Sequence, residues 1–195
     1  LLRRLRSDVL GQLPPRTDTR VPVELTPEQR DEHDALNQPI SQLAARARHR
    51  PLTQAEFLRL MSLLTTQRII CNGLAQLRFD ETWPHLAASA PDEARLRGLA
   101  SPKLGELREL IANVVVAQRR KVVVFSQWLR MLRLAHWAVS DVLESAGVRA
   151  VFFTGQESPK RRTHNLVDLH DDEATRVLFA SDAGGVGLNL QRAAN

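Results

Sequence analysis

Three glycines fall in the stretch Ser181-Asp182-Ala183-Gly184-Gly185-Val186-Gly187-Leu188-Asn189-Leu190-Gln191, directly after the apolar run Arg176-Val177-Leu178-Phe179-Ala180. Glycine has no Cβ, so backbone amides can come close to a phosphate and form an anion-binding concavity. A tight strand-to-helix connection with no ligand would use the same residues. A dinucleotide fingerprint is excluded, because Gly185-Val186-Gly187 is followed by Leu188, Asn189 and Leu190 where a third glycine is needed. A second candidate is Thr154-Gly155-Gln156-Glu157-Ser158-Pro159-Lys160-Arg161-Arg162. Three consecutive cations in the first turn of a helix oppose the helix dipole, so an external anion would explain them better than local stability does. A solvated helix face is the alternative. Ser126-Gln127, after the run Lys121-Val122-Val123-Val124-Phe125, adds a hydroxyl and an amide of the same chemical kind.

The elements that must position these residues alternate. Lys121–Phe125, Val148–Thr154 and Arg176–Ala180 are near-continuous apolar runs, the mark of strands buried on both faces of a parallel sheet. A helical stretch from Gln127 to Ala146, closed by Gly147 as a C′ glycine, separates the first two; Ser158-Pro159 opens another that reaches about His170. Helices between parallel strands make βαβ crossovers, and in such sheets ligands bind beyond the carboxyl ends of the strands. All three polar segments fall there, on one rim.

The first half reads differently. Pro14-Pro15 excludes a continuous helix, and the alternation of Val21, Val23 and Leu25 predicts a short strand, placed at an edge by Pro22. Thr26-Pro27-Glu28-Gln29 and Thr53-Gln54-Ala55-Glu56 are capping boxes that open helices. After the second, Phe57, Leu60, Met61 and Leu64 form a stripe predicted to bury one helical face. Ser101-Pro102 opens a further helix with Leu104, Leu107, Leu110, Ile111 and Val114 on one side.

The 195 residues carry 27 Lys+Arg against 22 Asp+Glu, a net charge of +5, with 43% hydrophobic residues, a globular composition of moderately basic balance. Only Lys103, Lys121 and Lys160 are lysines; the remaining cations are arginines, whose planar fork suits phosphate. No apolar run is long enough to cross a bilayer and no secretory signal is seen, which with the single Cys71 favours a reducing, cytoplasmic setting. Cys71 is expected in the core. The six histidines show no metal-ligand spacing with it, so no metal site is expected. No Gly-x-Ser-x-Gly elbow is present, and Trp128 and Trp137 fall on opposite faces of their predicted helix, which disfavours a base-stacking pair.

Five segments together resemble the second motor lobe of Swi/Snf-like DNA translocases, of the superfamily-two helicase class and more particularly their bacterial members. Leu2-Arg3-Arg4 with Asp8-Val9-Leu10 and Leu13-Pro14-Pro15 is similar to the segment leaving the first lobe. Leu25–Gln29 and Arg68-Ile69-Ile70-Cys71-Asn72 are similar to the start and a later helix of the helical region that follows. Val123–Trp128 resembles helicase motif four, and Ser181–Gln191 resembles motif five.

The resemblance implies an α/β fold: a RecA-like parallel sheet with helices on both faces in three layers, incomplete at the C-terminus and preceded by an all-helical insertion. It divides the chain into a connector (1–25), a helical insertion (26–100) and a RecA-like lobe (101–195) truncated before motif six. It further implies an ATP-driven motor on duplex DNA. Ser126, Gln127, Thr154, Gly155, Lys160 and Arg161, with the backbone at Ala183 and Gly184, would face DNA, and Gly185 and Gly187 would lie nearer the nucleotide. ATP with Mg would be held mainly by the first lobe, the chain's implied partner beside duplex DNA and a protein remodelling target. The sequence has no Gly-x-x-x-x-Gly-Lys-Ser/Thr loop and no Asp-Glu metal motif after an apolar strand, so no catalytic residue is assigned and the chain alone is expected to be inactive as an ATPase. A non-catalytic regulatory or protein-interaction module and a lobe of an RNA helicase are the competing readings. The expected location is cytoplasmic, nucleoid-associated if bacterial.

Overall fold

Capping sets the first helices in the computed structural model, which describes residues 17–182. Thr26 opens α1 (Pro27–Ala35): its hydroxyl accepts from the Gln29 N–H at 3.2 Å, and Gln29 Oε1 accepts from the Thr26 N–H at 3.1 Å. After α2 (Asn37–His49), the second box opens α3 (Gln54–Ile70), with Glu56 reaching back to the Thr53 N–H at 3.0 Å. Gln29 is buried, and its Nε2 donates to the Ile70 carbonyl at 2.6 Å, which ties the start of α1 to the end of α3. Short helices α4 (Leu74–Leu77), α5 (Phe79–Ala87) and α6 (Glu93–Gly98) lead to α7 (Pro102–Ile111), which continues as a π-helical turn over Ala112–Ala117.

The alternating half follows the sequence pattern closely. β1 (Val122–Phe125), α8 (Leu129–Ser145), β2 (Arg149–Phe153), α9 (Pro159–Asp171) and β3 (Thr175–Ala180) form a parallel sheet of order β1-β3-β2. Helix α8 ends in a Schellman pair: Gly147, at φ 62°, donates to the Glu144 carbonyl at 3.0 Å and Val148 to the Leu143 carbonyl at 2.8 Å. The pleat sorts the strands into two cores. Val122, Val124, Ala150, Phe152, Val177 and Phe179 pack with the apolar faces of α7 and α8, while Val123, Val151, Phe153, Leu178 and Ala180 pack with Leu166 and Leu169 of α9. This is the three-layer RecA-like arrangement expected.

Two charged side chains tie elements together, one pairing two helices on the same sheet face and one joining the sheet to α9. Arg108 of α7 grips Asp141 of α8 through both guanidinium nitrogens at 2.5 Å, which holds the Asp141 carboxyl below its ordinary pKa. Lys121 Nζ donates to the Leu169 carbonyl at 2.5 Å and the Asp172 carbonyl at 3.0 Å, closing the end of α9, where cations favour the dipole.

Three local expectations fail. Residues 19–25 form no strand: Pro22 offers no N–H, no strand lies beside them among the described residues, and Val21 and Val23 instead share a groove with Leu107 and Leu110 of α7. The Phe57, Met61 and Leu64 stripe is not covered; Phe57 is 51% and Met61 39% exposed. The face of α3 that packs is the neighbouring one, with Leu60, Leu63 and Gln67 half-buried and Ile70 buried. Cys71 caps the end of α3 and is half-buried, outside the core. The two tryptophans stand apart, as expected: Trp128 is the N-cap of α8, whereas Trp137 is buried in the core with its indole N–H donating to the Ser89 carbonyl at 2.8 Å.

Candidate functional site

Parallel register brings the strand ends level. Phe125 and Phe153 both pair with Ala180, the Ser126 N–H donates to the Ala180 carbonyl at 3.1 Å, and the Ser181 N–H donates to the Phe153 carbonyl at 3.1 Å. Ser126, Thr154 and Ser181 therefore leave the sheet side by side, and one rim holds the starts of the three polar segments picked out in the sequence. Ala183, Gly184, Gly185 and Gly187 lie outside the described residues.

The assigned residues divide by what their side chains already do. The Ser126 hydroxyl accepts from the Trp128 N–H at 3.1 Å, which turns the chain into α8. Gln127 is exposed; in the amide orientation that satisfies its neighbours, its oxygen accepts from Trp128 Nε1 at 2.9 Å and from Arg68 Nη2 at 3.0 Å. Thr154 is buried, with its hydroxyl and its N–H both donating to Glu157 Oε2, at 2.8 and 2.6 Å. Its hydroxyl is committed to shaping the loop, and Gly155, exposed beside it with open space where a Cβ would stand, is the accessible backbone.

The basic run also separates. The Ser158 hydroxyl caps α9 by accepting from the Arg161 N–H at 3.2 Å. The Arg162 guanidinium lies 5.5 Å over the Phe153 ring, a cation–π contact that accounts for it structurally. Lys160 and Arg161 are exposed, and neither side chain has an ion-pair partner among the described residues. Two cations in the first turn of α9 thus carry a charge that the fold itself does not use.

Arg68 and Lys103 were not singled out by sequence reading, yet they stand against the rim. The turn Cys71-Asn72-Gly73 brings α3 onto the start of α7: Ser101 Oγ donates to the Asn72 carbonyl, and Lys103 Nζ donates to Asn72 Oδ1 at 3.2 Å. A groove of about 740 Å³ runs between α3 and the strand-end loop, with His33, Arg68, Lys103, Ser126, Gln127 and Trp128 among its lining. The sequence signals at Arg68 were its place at the head of the Arg68–Asn72 segment and its position four residues beyond Leu64, on the line of the exposed stripe.

Among the described residues no cluster of three or more His, Cys, Asp and Glu is placed to hold a metal ion. His136 sits below its ordinary pKa through burial, edge-on to Phe152 and Phe179, and is a packed neutral ring. The rim therefore offers hydroxyls, amides and guanidinium groups, a donor set for an extended polyanion.

Residues 102–195 match the family described as helicase conserved C-terminal domain. A similar fold is found in the Sulfolobus solfataricus SWI2/SNF2 ATPase core in complex with dsDNA, at a TM-score of 0.65 and 19% identity over 96% of this chain and 35% of that one. An uncharacterized ATP-dependent helicase of Mycoplasma pneumoniae is 28% identical over 99% of the chain. The chromatin remodeling factor mit1 of Schizosaccharomyces pombe is 27% identical over 98%. The chain spans 16% and 14% of the length of these two relatives.

Proposed function

We propose that this chain is the second motor lobe of an ATP-dependent double-stranded-DNA translocase of Swi/Snf-like, remodelling type, binding the DNA backbone and completing an ATP site shared with a first lobe. The observation that carries this reading is the level rim of Ser126, Gly155 and Ser181 beside the unpaired cations Lys160 and Arg161. Hydroxyl, amide and guanidinium contacts to phosphate position a protein on DNA without reading its sequence, as translocation requires. Ser126 and Gln127 approach one stretch of backbone, Gly155, Lys160 and Arg161 another, and Thr154 shapes the loop between them. Ala183 and Gly184 present backbone to DNA, and Gly185 and Gly187 to the nucleotide.

ATP with Mg, held mainly by the first lobe, supplies the free energy for movement. The division into connector, helical insertion and lobe (1–25, 26–100 and 101–195) belongs to the same reading, as do the first lobe and a remodelling target as partners. No helix among the described residues is long and apolar enough to cross a membrane, and a DNA-associated location suits the proposal. The relatives include a bacterium and a yeast, so the reading concerns the motor class and not its bacterial type.

The test is ATP hydrolysis by the full-length protein alone, with duplex DNA, and with single-stranded RNA. Strong stimulation by duplex DNA is expected, with none from the isolated chain; no turnover in any condition would overturn the motor reading, and preference for RNA would move it to the RNA helicases. In the same protein, Lys160→Ala with Arg161→Ala is expected to flatten the dependence of log K on log salt by about 1.8, at about 0.9 per phosphate contact. An unchanged slope removes both residues from the DNA contact.

A further inference from the structure

The groove between α3 and the strand-end loop has a one-sided chemistry. Its lining includes Arg68, Lys103 and His33, the neutral donors Gln67, Asn72, Ser126 and Gln127, and no carboxylate. The carboxylate next to it in sequence, Asp34, is engaged by His33 at 3.2 Å and by Asn37 at 3.1 Å. Like charges gathered around a cleft repel one another, and a cleft lined by one sign of charge concentrates counter-ions. The fold gains little from this arrangement: Arg68 and Lys103 are exposed, and neither has an ion-pair partner among the described residues.

Their placement is nonetheless fixed. Arg68 spends one N–H on the Gln127 amide oxygen at 3.0 Å, and the rest of its fork remains available. Lys103 is steered by Asn72 Oδ1, and Asn72 is itself held by its Nδ2 bond to Gln76 Oε1 at 3.1 Å and by Ser101 Oγ on its carbonyl. At about 740 Å³ the groove belongs to the size class that takes an organic ligand and not a lone ion. It also opens directly onto Ser126 and Gln127, so a polyanion lying on the rim continues into it.

We propose that the junction of α3 with α7 supplies a second phosphate-binding wall, with Arg68 of the helical region and Lys103 at the start of the lobe as its cations and Gln127 as the joint between wall and rim. The ligand is the sugar–phosphate backbone of duplex DNA, and this inference rests on the DNA-translocase reading above. The wall adds phosphate contacts from outside the sheet. A strand of backbone is then held from two sides, by the rim cations Lys160 and Arg161 and by the α3–α7 junction.

The test measures binding of the full-length protein to a fluorescein-labelled duplex of mixed sequence by polarisation, across a salt series. Lys103→Ala removes a side chain whose described contact is with Asn72, and Arg68→Ala removes the fork; each is expected to flatten the salt slope by about 0.9 and the pair by about 1.8. Arg68→Lys keeps the charge and is expected to restore most of the slope. If the wild-type protein binds and Lys160→Ala with Arg161→Ala flattens the slope while the Lys103 and Arg68 variants leave it unchanged, the second wall is overturned and the translocase reading stands. If the wild-type protein binds no duplex at low salt, both fall.

Discussion

Replacing Gly73 with alanine should pry the helical region away from the lobe, at a cost that can be worked from the contact itself. A Cβ built on Gly73 meets Ser101 Cβ and Oγ at 2.5 Å each, and Ser101 Cα at 3.3 Å. Carbon atoms pack at about 3.5–4.0 Å, so the new methyl overlaps two atoms by about 1 Å. Ser101 has little room to retreat: it is buried, its hydroxyl is bonded to the Asn72 carbonyl, and the adjoining backbone is pinned by Leu74 N–H to the Ala100 carbonyl at 3.2 Å and Ala75 N–H to the Leu99 carbonyl at 3.1 Å. Overpacking of this kind costs about 1–3 kcal/mol. In a protein of this length that lowers the thermal midpoint by about 2–12 °C, taking about 2–4 °C per kcal/mol. Ser101→Gly removes both clashing atoms and, alone, loses one hydrogen bond worth about 0.5–1.5 kcal/mol. Combined, the two substitutions should cost less than their sum, with a coupling of about 1–2 kcal/mol measured by chemical unfolding followed by circular dichroism. A Gly73→Ala protein within about 0.3 kcal/mol of wild type, or a double variant whose costs simply add, would refute the close packing at this joint.

Acid should act through Asp172. Its carboxyl is lowered to about 2, first by the Thr175 hydroxyl bond, then by the Ala174 N–H and by Arg149. A depressed folded pKa contributes stability that is present above the ordinary value of 3.8 and is lost as pH falls through about 2. Wild type should therefore lose thermal stability faster than Asp172→Asn over that window, the two midpoints converging at its acid end; parallel curves would contradict it. Phe179→Ala, at a ring with no exposed surface stacked 5.3 Å from Phe152, should cost about 3–5 kcal/mol. Phe57→Ser on the uncovered stripe should stay within about 0.5 kcal/mol of wild type by the same unfolding measurement, and a large loss there would mean that the stripe is covered.

What could be read from sequence was local or symmetric. A capping box is complete within four residues, so Thr26 and Thr53 announced their helices, and Gly147 announced a helix end for the same reason. Strands buried on both faces show as unbroken apolar runs, so β1, β2 and β3 were legible with bounds close to those observed. Failure came wherever the answer depended on what lies opposite. Val21 and Val23 alternate as a strand does, but no strand is beside them to pair with. Phe57, Met61 and Leu64 have the period of a packed face, yet the covered face of α3 runs through Leu60, Leu63 and Ile70, and both stripes share Leu60. Ser126, Lys160 and Arg161 could be placed near the rim from sequence because strand ends are marked there. Arg68 and Lys103 were missed because they meet the rim only in three dimensions, through the Arg68–Gln127 bond and the Gly73–Ser101 contact, the latter between residues 28 positions apart.

The order β1-β3-β2 also sets a timetable for folding. Among the described residues, the two outer strands come first along the chain but have no hydrogen bonds to each other, and each is paired solely with β3, the last of the three. As the polypeptide emerges during synthesis, the helices up to α7 can form from local contacts, while β1 and β2 wait with unsatisfied edges until Thr175–Ala180 slides between them. Loop closure over more than fifty residues, from β1 to β3, precedes any reward from sheet pairing, which makes insertion of the central strand the slow, all-or-none event. The same insertion creates the level rim, so the three polar strand ends come together in the step that joins the three strands.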